Sequence, residues 1–180
     1  DPEVREREIK NISAAYAELA EEILPQLRRA RLTLNYQLIG RSDAEILEAF
    51  KSDASGLSIE ELLYAATLVK SDNEKVAIYK KAASLYSNDY RPYNNMAEIA
   101  MKAANYNEAK SLLQKAAKLN PSAAEVNTNL GMLALIDGNV AEAEKYLLKG
   151  TDSKENAAAL GNLYVAQGQY DRAVKAFGDT

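Results

Sequence analysis

YNNMAEIAMKAANYNEAKSLL (93–113) and NTNLGMLALIDGNVAEAEKYLL (127–148) are two copies of one pattern, offset by 34 residues. Self-similarity at a fixed period of this size marks an array of small helical units rather than a single globular core. The register extends outward on both sides. KKAASLYSND (80–89) aligns with QKAAKLNPSA (114–123) at the same offset, and AALGNLYVAQGQYDRAVKAF (158–177) repeats the middle block. In that last copy Leu160-Gly161 answers Leu130-Gly131 after only 30 residues. The four missing residues amount to about one helical turn, and the shortening falls between Lys149 and Asn156. Within each copy the apolar residues recur at helical spacing in two segments, with a polar turn near Asn107, Asn139 and Asp171.

Helix starts are marked independently. Seven positions pair an oxygen side chain with Glu three residues later, the pattern of a capping box. They are Ser42–Glu45, Ser58–Glu61, Ser71–Glu74, Asn105–Glu108, Ser122–Glu125, Asn139–Glu142 and Asp152–Glu155. The expectation is a mostly α array of antiparallel helix-turn-helix repeats over 57–180, about three and a half units by the 34-residue period. Residues 1–56 read differently. Asp1-Pro2-Glu3 suits a helix start, and Ile9, Ile12, Tyr16, Leu19 and Ile23 form one stripe before Pro25 ends the helix. Leu32, Leu34, Tyr36 and Leu38 then alternate with Thr33, Asn35 and Gln37, which predicts a short β-strand over 31–39. A helix that continues through Leu27, Ala30, Leu34 and Leu38 is the alternative. A lone strand needs a neighbour, so pairing with a missing domain or a second chain is expected. A short helix over 43–51 and a loop at 52–56 complete this N-terminal cap.

At the repeated positions the chain resembles the tetratricopeptide repeat. That family places bulky, small and apolar residues at fixed positions of a 34-residue unit. The copy starting at Tyr90 supplies Tyr93, Met96, Ala97, Ala100, Ala109, Leu113, Ala116 and Pro121. The copy starting at Ala124 supplies Asn127, Leu130, Gly131, Ala134, Ala143, Leu147 and Gly150. The copy starting at Lys154 supplies Ala157, Leu160, Gly161, Tyr164, Ala173 and Phe177, and stops before its second helix is complete. A fourth, degenerate copy from Gly56 has Leu62, Leu63, Ala66, Tyr79 and Ala82, but Lys75 where a small residue is expected. The incomplete last copy leads to the expectation of a longer parent chain. The segment ILPQLRRARLTLNYQLIGRSDAEI (23–46) is more weakly similar to bacterial cell-envelope proteins that join an OmpA-like domain to such repeats. That second resemblance implies a periplasmic or outer-membrane-peripheral location.

Composition removes most chemistry. The 180 residues contain no His and no Cys, so zinc fingers, disulfides, thiol nucleophiles and His-based triads are excluded. Glu142 and Glu144 fall on different helix faces, and Gly131 and Gly161 lie outside any phosphate-loop motif. No catalytic residue, metal or cofactor is expected. Lys and Arg number 22 against 26 Asp and Glu, with neither half basic, so nucleic acid is not an expected partner. The densest basic cluster, Arg28-Arg29-Arg31 near Tyr36 and Arg41, reads as a solvated strand edge. The eleven tyrosines read mainly as packing residues. No apolar run reaches membrane-spanning length.

The family resemblance implies function through the concave face formed by first-helix positions. These are Arg91, Asn94, Glu98, Met101 and Lys102 in one copy, and Glu125, Thr128, Met132, Leu135 and Ile136 in the next. In the last they are Glu155, Ala158, Asn162, Val165 and Ala166. Apart from Glu125, Glu155, Ala158 and Ala166, these are the expected partner-binding residues. Asn94, Thr128 and Ala158 stand where a carboxylate-clamping branch of the family has its lysine, so no such clamp is expected. An apolar middle at Met132, Leu135, Ile136 and Val165 suits an extended or helical segment of a partner protein. The expected function is a scaffold that binds such a segment. The alternative is an envelope accessory protein whose repeats belong to a larger outer-membrane-associated assembly.

Overall fold

The computed structural model describes residues 40–150 and 154–178, together with Pro2, Glu3, Ala17 and Glu21. The chain divides into two compact units, Asp1–Gly40 and Arg41–Thr180. The helix expected over 9–23, the strand over 31–39 with its pairing partner, and Arg28, Arg29 and Arg31 fall outside the described residues. So does the greater part of the segment carrying the envelope resemblance. Among the described residues there is no strand.

In the second unit nine α-helices follow one another among the described residues. We number them α1 (Asp43–Ser52), α2 (Ile59–Leu68), α3 (Asp72–Leu85), α4 (Arg91–Lys102), α5 (Tyr106–Leu119), α6 (Ala124–Ile136), α7 (Val140–Leu147), α8 (Lys154–Ala166) and α9 (Tyr170–Gly178). A short 3-10 turn, Ala54–Gly56, occupies what the sequence suggested was plain loop. Helices pair as α2–α3, α4–α5, α6–α7 and α8–α9, each pair packing on the next, while α4, α6 and α8 also touch in series. Helix α1 packs on α2, and its Ile46 joins the same core cluster as Ala65 and Ala66. The division at 40–41 thus lies before this helix, whereas the change in sequence pattern lies at 56–57.

The helices begin where the chemistry of their first residues places them, though by fewer capping boxes than expected. Ser42 and Ser58 form complete boxes with Glu45 and Glu61, each hydroxyl accepting from the third amide and each carboxylate accepting from the cap amide. Asn139 accepts from the Glu142 amide, and its own side-chain amide reaches the Glu142 carboxylate at 2.8 Å instead of leaving it to the cap backbone. Ser71 and Asn105 are cap residues without a side-chain cap bond. Ser122 is not a cap at all: its hydroxyl donates to Asn120 Oδ1 (2.9 Å), and α6 starts two residues later, after Ala123. Asp152 lies outside the described residues.

The turns inside the repeats share one geometry. Ala104, Gly138 and Gly168 all adopt left-handed φ (58°, 75° and 72°). The following amides of Asn105, Asn139 and Gln169 reach back to the carbonyls of Ala100, Ala134 and Tyr164 at 2.7–2.8 Å. This six-to-one closure satisfies carbonyls left orphaned at the end of each first helix and reverses the chain. Helix α7 has 8 residues where α5 has 14, a larger difference than the four residues expected from the 30-residue spacing.

Two apolar clusters meet on α6. One runs from Ile46 through Ile78, Met96 and Leu113 to Val126 and Leu133; the other holds Ala134, Ala143, Leu147, Ala159 and Leu163. Small residues set the helix spacing. A Cβ on Gly131 would meet Leu147 Cδ2 and Cγ at 2.5 Å, and one on Gly161 would collide with the Phe177 ring. Burial follows the repeat pattern most closely in the Tyr90 copy, where Ala97, Ala109, Leu113 and Ala116 are fully enclosed. In the last copy Leu160 and Tyr164 are half-buried and Phe177 is exposed. Most of the described tyrosines pack, as expected, with Tyr86, Tyr90 and Tyr164 partly buried against the core clusters. Tyr79 and Tyr93 are core residues, but Tyr64, Tyr106 and Tyr170 are exposed. Several others work through their polar ends, Tyr86 donating to Leu57 O (2.7 Å) and Tyr90 to Glu125 (2.6 Å).

Candidate functional site

Stacking of α4, α6 and α8 leaves a groove of about 710 Å³ across the first helices of three repeats. Helix α4 contributes Asn94, Asn95, Glu98, Met101 and Lys102. Helix α6 contributes Glu125, Thr128, Asn129, Met132 and Ile136, and α8 contributes Glu155 and Ala158. Helices three turns long present one face through residues three or four apart, which is why these positions converge from separate stretches of chain.

The floor is tied together by amides. Asn129 Nδ2 donates to Asn94 Oδ1 at 2.9 Å, linking α6 to α4. Thr128 is 1% exposed, with Oγ1 at 3.2 Å from Asn156 Oδ1 and 3.4 Å from Gly150 O. Asn156 in turn donates to Leu147 O at 3.0 Å. Thr128 is therefore a structural member of the wall rather than a side chain offered to a partner. Asn94, 5% exposed, is also largely committed to the protein. At the opposite end of the same helices Met101, Met132 and Ile136 line the groove beside Lys102, and Ile136 is 48% exposed. Lys102 pairs with Glu98 at 2.8 Å, an exposed i,i+4 pair; hydrogen bonding to that carboxylate raises the Lys102 pKa. Glu125 accepts from Tyr90, whose phenol is pushed up to about 12 by burial and then by this carboxylate.

Four expected residues are not in the groove. Arg91 is half-buried and held elsewhere, its guanidinium bonding Asp89 (2.7 Å) and Glu60 of α2 (2.9 Å). Those bonds, to Asp89 first, raise its pKa, so the side chain fastens α4 to the preceding repeat. Leu135 turns away and packs, half-buried, against the second cluster. Asn162 and Val165 are exposed on α8 but do not line the groove. Conversely, Asn95 and Asn129 line it and were not anticipated. Each follows a predicted groove position by one residue, and the helix turns far enough between neighbours to bring both to the rim.

Among the described residues no cluster of three or more His, Cys, Asp or Glu is arranged to hold a metal ion. None of the described helices is long and apolar enough to cross a membrane. The groove offers amides, carboxylates, one ammonium and apolar side chains.

Two tetratricopeptide repeat family models match the chain, over residues 94–158 and 155–178. Solved structures with the same fold include TTC0263, a thermophilic TPR protein of Thermus thermophilus. It is 20% identical with a TM-score of 0.59, and the match covers 76% of this chain and 78% of that one. YrrB, described as a TPR protein with an unusual peptide-binding site, is 21% identical with a TM-score of 0.57 and coverage of 77% and 74%. The APC/C hetero-tetramer Cut9–Hcn1 matches at 17% identity and a TM-score of 0.66, over 76% of this chain and 28% of that chain. No curated protein sequence matches the chain significantly. The repeat register, the shared turn geometry and the family models agree that residues 94–178 are tetratricopeptide repeats, a fold that serves in general as a protein-interaction scaffold.

Proposed function

We propose that this chain is a non-enzymatic scaffold that holds a segment of a partner protein in the groove across α4, α6 and α8. The observation that carries this is the exposed apolar end of the groove. Ile136 stands half in solvent beside Met101 and Met132, although the same helix buries Val126, Leu133 and Ala134 in its core face. A peptide-binding relative of the same fold, YrrB, supports the reading. Burying a side chain of this size stabilises a complex by about 1.5–3 kcal/mol before ordering costs.

Peptides selected by display against the full chain test the proposal. Ile136→Asn keeps the side chain near its size and removes the apolar contact; it is expected to weaken the selected peptides by at least about tenfold. Circular dichroism and melting temperature stay unchanged, because Ile136 is not a core residue. Val174→Asn on α9, a position 73% exposed, leaves binding intact. The opposite pattern, loss at Val174 and none at Ile136, overturns the proposal. Leu135, despite its sequence position, is unsuitable for this test because it packs against the second cluster.

A further inference from the structure

The connection from α7 to α8 departs from its counterparts. Ala82 and Ala116 sit inside α3 and α5 at the 34-residue offset, but the next residue of that register, Gly150, lies beyond the end of α7. The chain there rests directly on α6. A Cβ on Gly150 would collide with Thr128 Oγ1 and stand 3.0 Å from Asn156 Oδ1 and from Ala124 O. Asn156 departs from the pattern as well. It is 1% exposed, at a register position where the two preceding copies bury Val126 and Pro92. Its amide is used at both ends: Oδ1 accepts from Thr128 Oγ1 of α6 at 3.2 Å, and Nδ2 donates to Leu147 O, at the end of α7, at 3.0 Å. Gly150 O lies 3.4 Å from the same Thr128 hydroxyl. One buried amide thus links α6, α7 and α8.

Resting on the proposed groove function, we propose that Asn156 is a positioning residue, which sets where α8 closes the groove. In the preceding pair, α4 and α6 are tied by the bond between Asn94 and Asn129. The repeat offsets put Thr128 and Ala159 at those two positions in the next pair. Alanine cannot make the bond, and the Thr128 hydroxyl goes to Asn156 instead. Ala159 and Leu163 hold α8 in the second cluster, but apolar contacts are non-directional and tolerate sliding and rotation. Hydrogen bonds accept only narrow ranges of distance and angle, and a buried amide that loses them is left with its desolvation cost. The Asn156 bonds therefore select one placement of α8 among those the apolar contacts allow. Glu155, beside Asn156, and Ala158, two residues on, are the groove residues of α8. Where the amide is held, both follow.

Nitroxide labels read the placement of α8, because the chain has no native Cys to label. In the full chain, Lys80→Cys of α3 with Lys175→Cys of α9 reports across the junction, and Lys80→Cys with Lys145→Cys of α7 reports before it. Asn156→Val, which restores the residue of the preceding copy, and Thr128→Val are each expected to shift or broaden the 80–175 distance and leave 80–145 unchanged. Thr128→Ser, which keeps the hydroxyl, retains the original 80–175 distance. Display-selected peptides are expected to bind both valine variants at least about threefold more weakly. Leu113→Ala, a core loss in the first cluster, leaves their affinity unchanged at a temperature where melting curves show it folded. If Asn156→Val does not fold, Thr128→Val carries the test alone. Unchanged 80–175 distances in the valine variants overturn the inference and leave the groove function standing. Moved distances with undiminished affinity also overturn it, because α8 is then no part of the site. If peptide binding survives Ile136→Asn, the groove function falls, whatever the distances show.

Discussion

Ala104 shows how a single residue stores strain that its repeat partners avoid. The equivalent turn positions are Gly138 and Gly168, which adopt left-handed φ without cost, whereas Ala104 holds φ 58° with a Cβ. Ala104→Gly is expected to raise unfolding free energy by up to about 1 kcal/mol, the relieved strain exceeding the added freedom of the unfolded chain. Urea unfolding measures it, and a destabilised variant would show that the neighbours hold the alanine without strain. Glu61 works in the other direction, as a titratable cap. The Ser58 amide, then Arg41 and the Ser58 hydroxyl, hold its carboxyl down from the ordinary 4.5 to about 2. A depressed carboxylate contributes stability that is complete above the unfolded value and lost as pH falls from about 4.5 toward 2. Glu61→Gln is therefore expected to cost up to about 1 kcal/mol at neutral pH, limited by the exposure of the site, and to cost less at about pH 3. Urea midpoints of both proteins at the two pH values check the sign.

At the scale of elements, Leu147 is the clearest anchor. It is fully enclosed, fills the space left by Gly131 and belongs to the second cluster, shared by α6, α7 and α8. Leu147→Ala is expected to cost about 2–5 kcal/mol. Hydrogen exchange followed by mass spectrometry is expected to show α6 to α9 losing protection before α2 to α5, because the two clusters meet only on α6. Uniform loss across all helices would mean the clusters form one cooperative unit. This element-level pattern was legible in the sequence because small and bulky residues alternate at fixed repeat positions. What the sequence did not show was competition between neighbours. Ser122 has the right spacing for a cap, but the Asn120-Pro121 turn captures its hydroxyl first. Leu135 has a groove position by count, yet α6 packs on helices before and after it, and α7 and α8 bury that flank. Arg91 has a groove position too, but Asp89 and Glu60 hold it at the repeat junction.

For the molecule as a whole, the described helices form a framework whose rigid parts are apolar clusters and whose open surface crosses three repeats. The position of that surface followed from the register of the repeats. Its chemistry did not, since Thr128 and Asn94 spend their polar groups inside the protein, while Asn95 and Asn129, one residue further on, face the opening. Exposed apolar residues also occur on α9, at Tyr170, Val174 and Phe177, so exposure alone does not distinguish a binding surface. Backbone amide chemical shifts of the labelled full chain, recorded during titration with a display-selected peptide, distinguish them directly. The account predicts perturbations concentrated at Asn95, Glu98, Asn129, Met132 and Ile136, with Tyr170 to Phe177 unmoved. Shifts confined to α9, or to the second helices α3, α5 and α7, would contradict it.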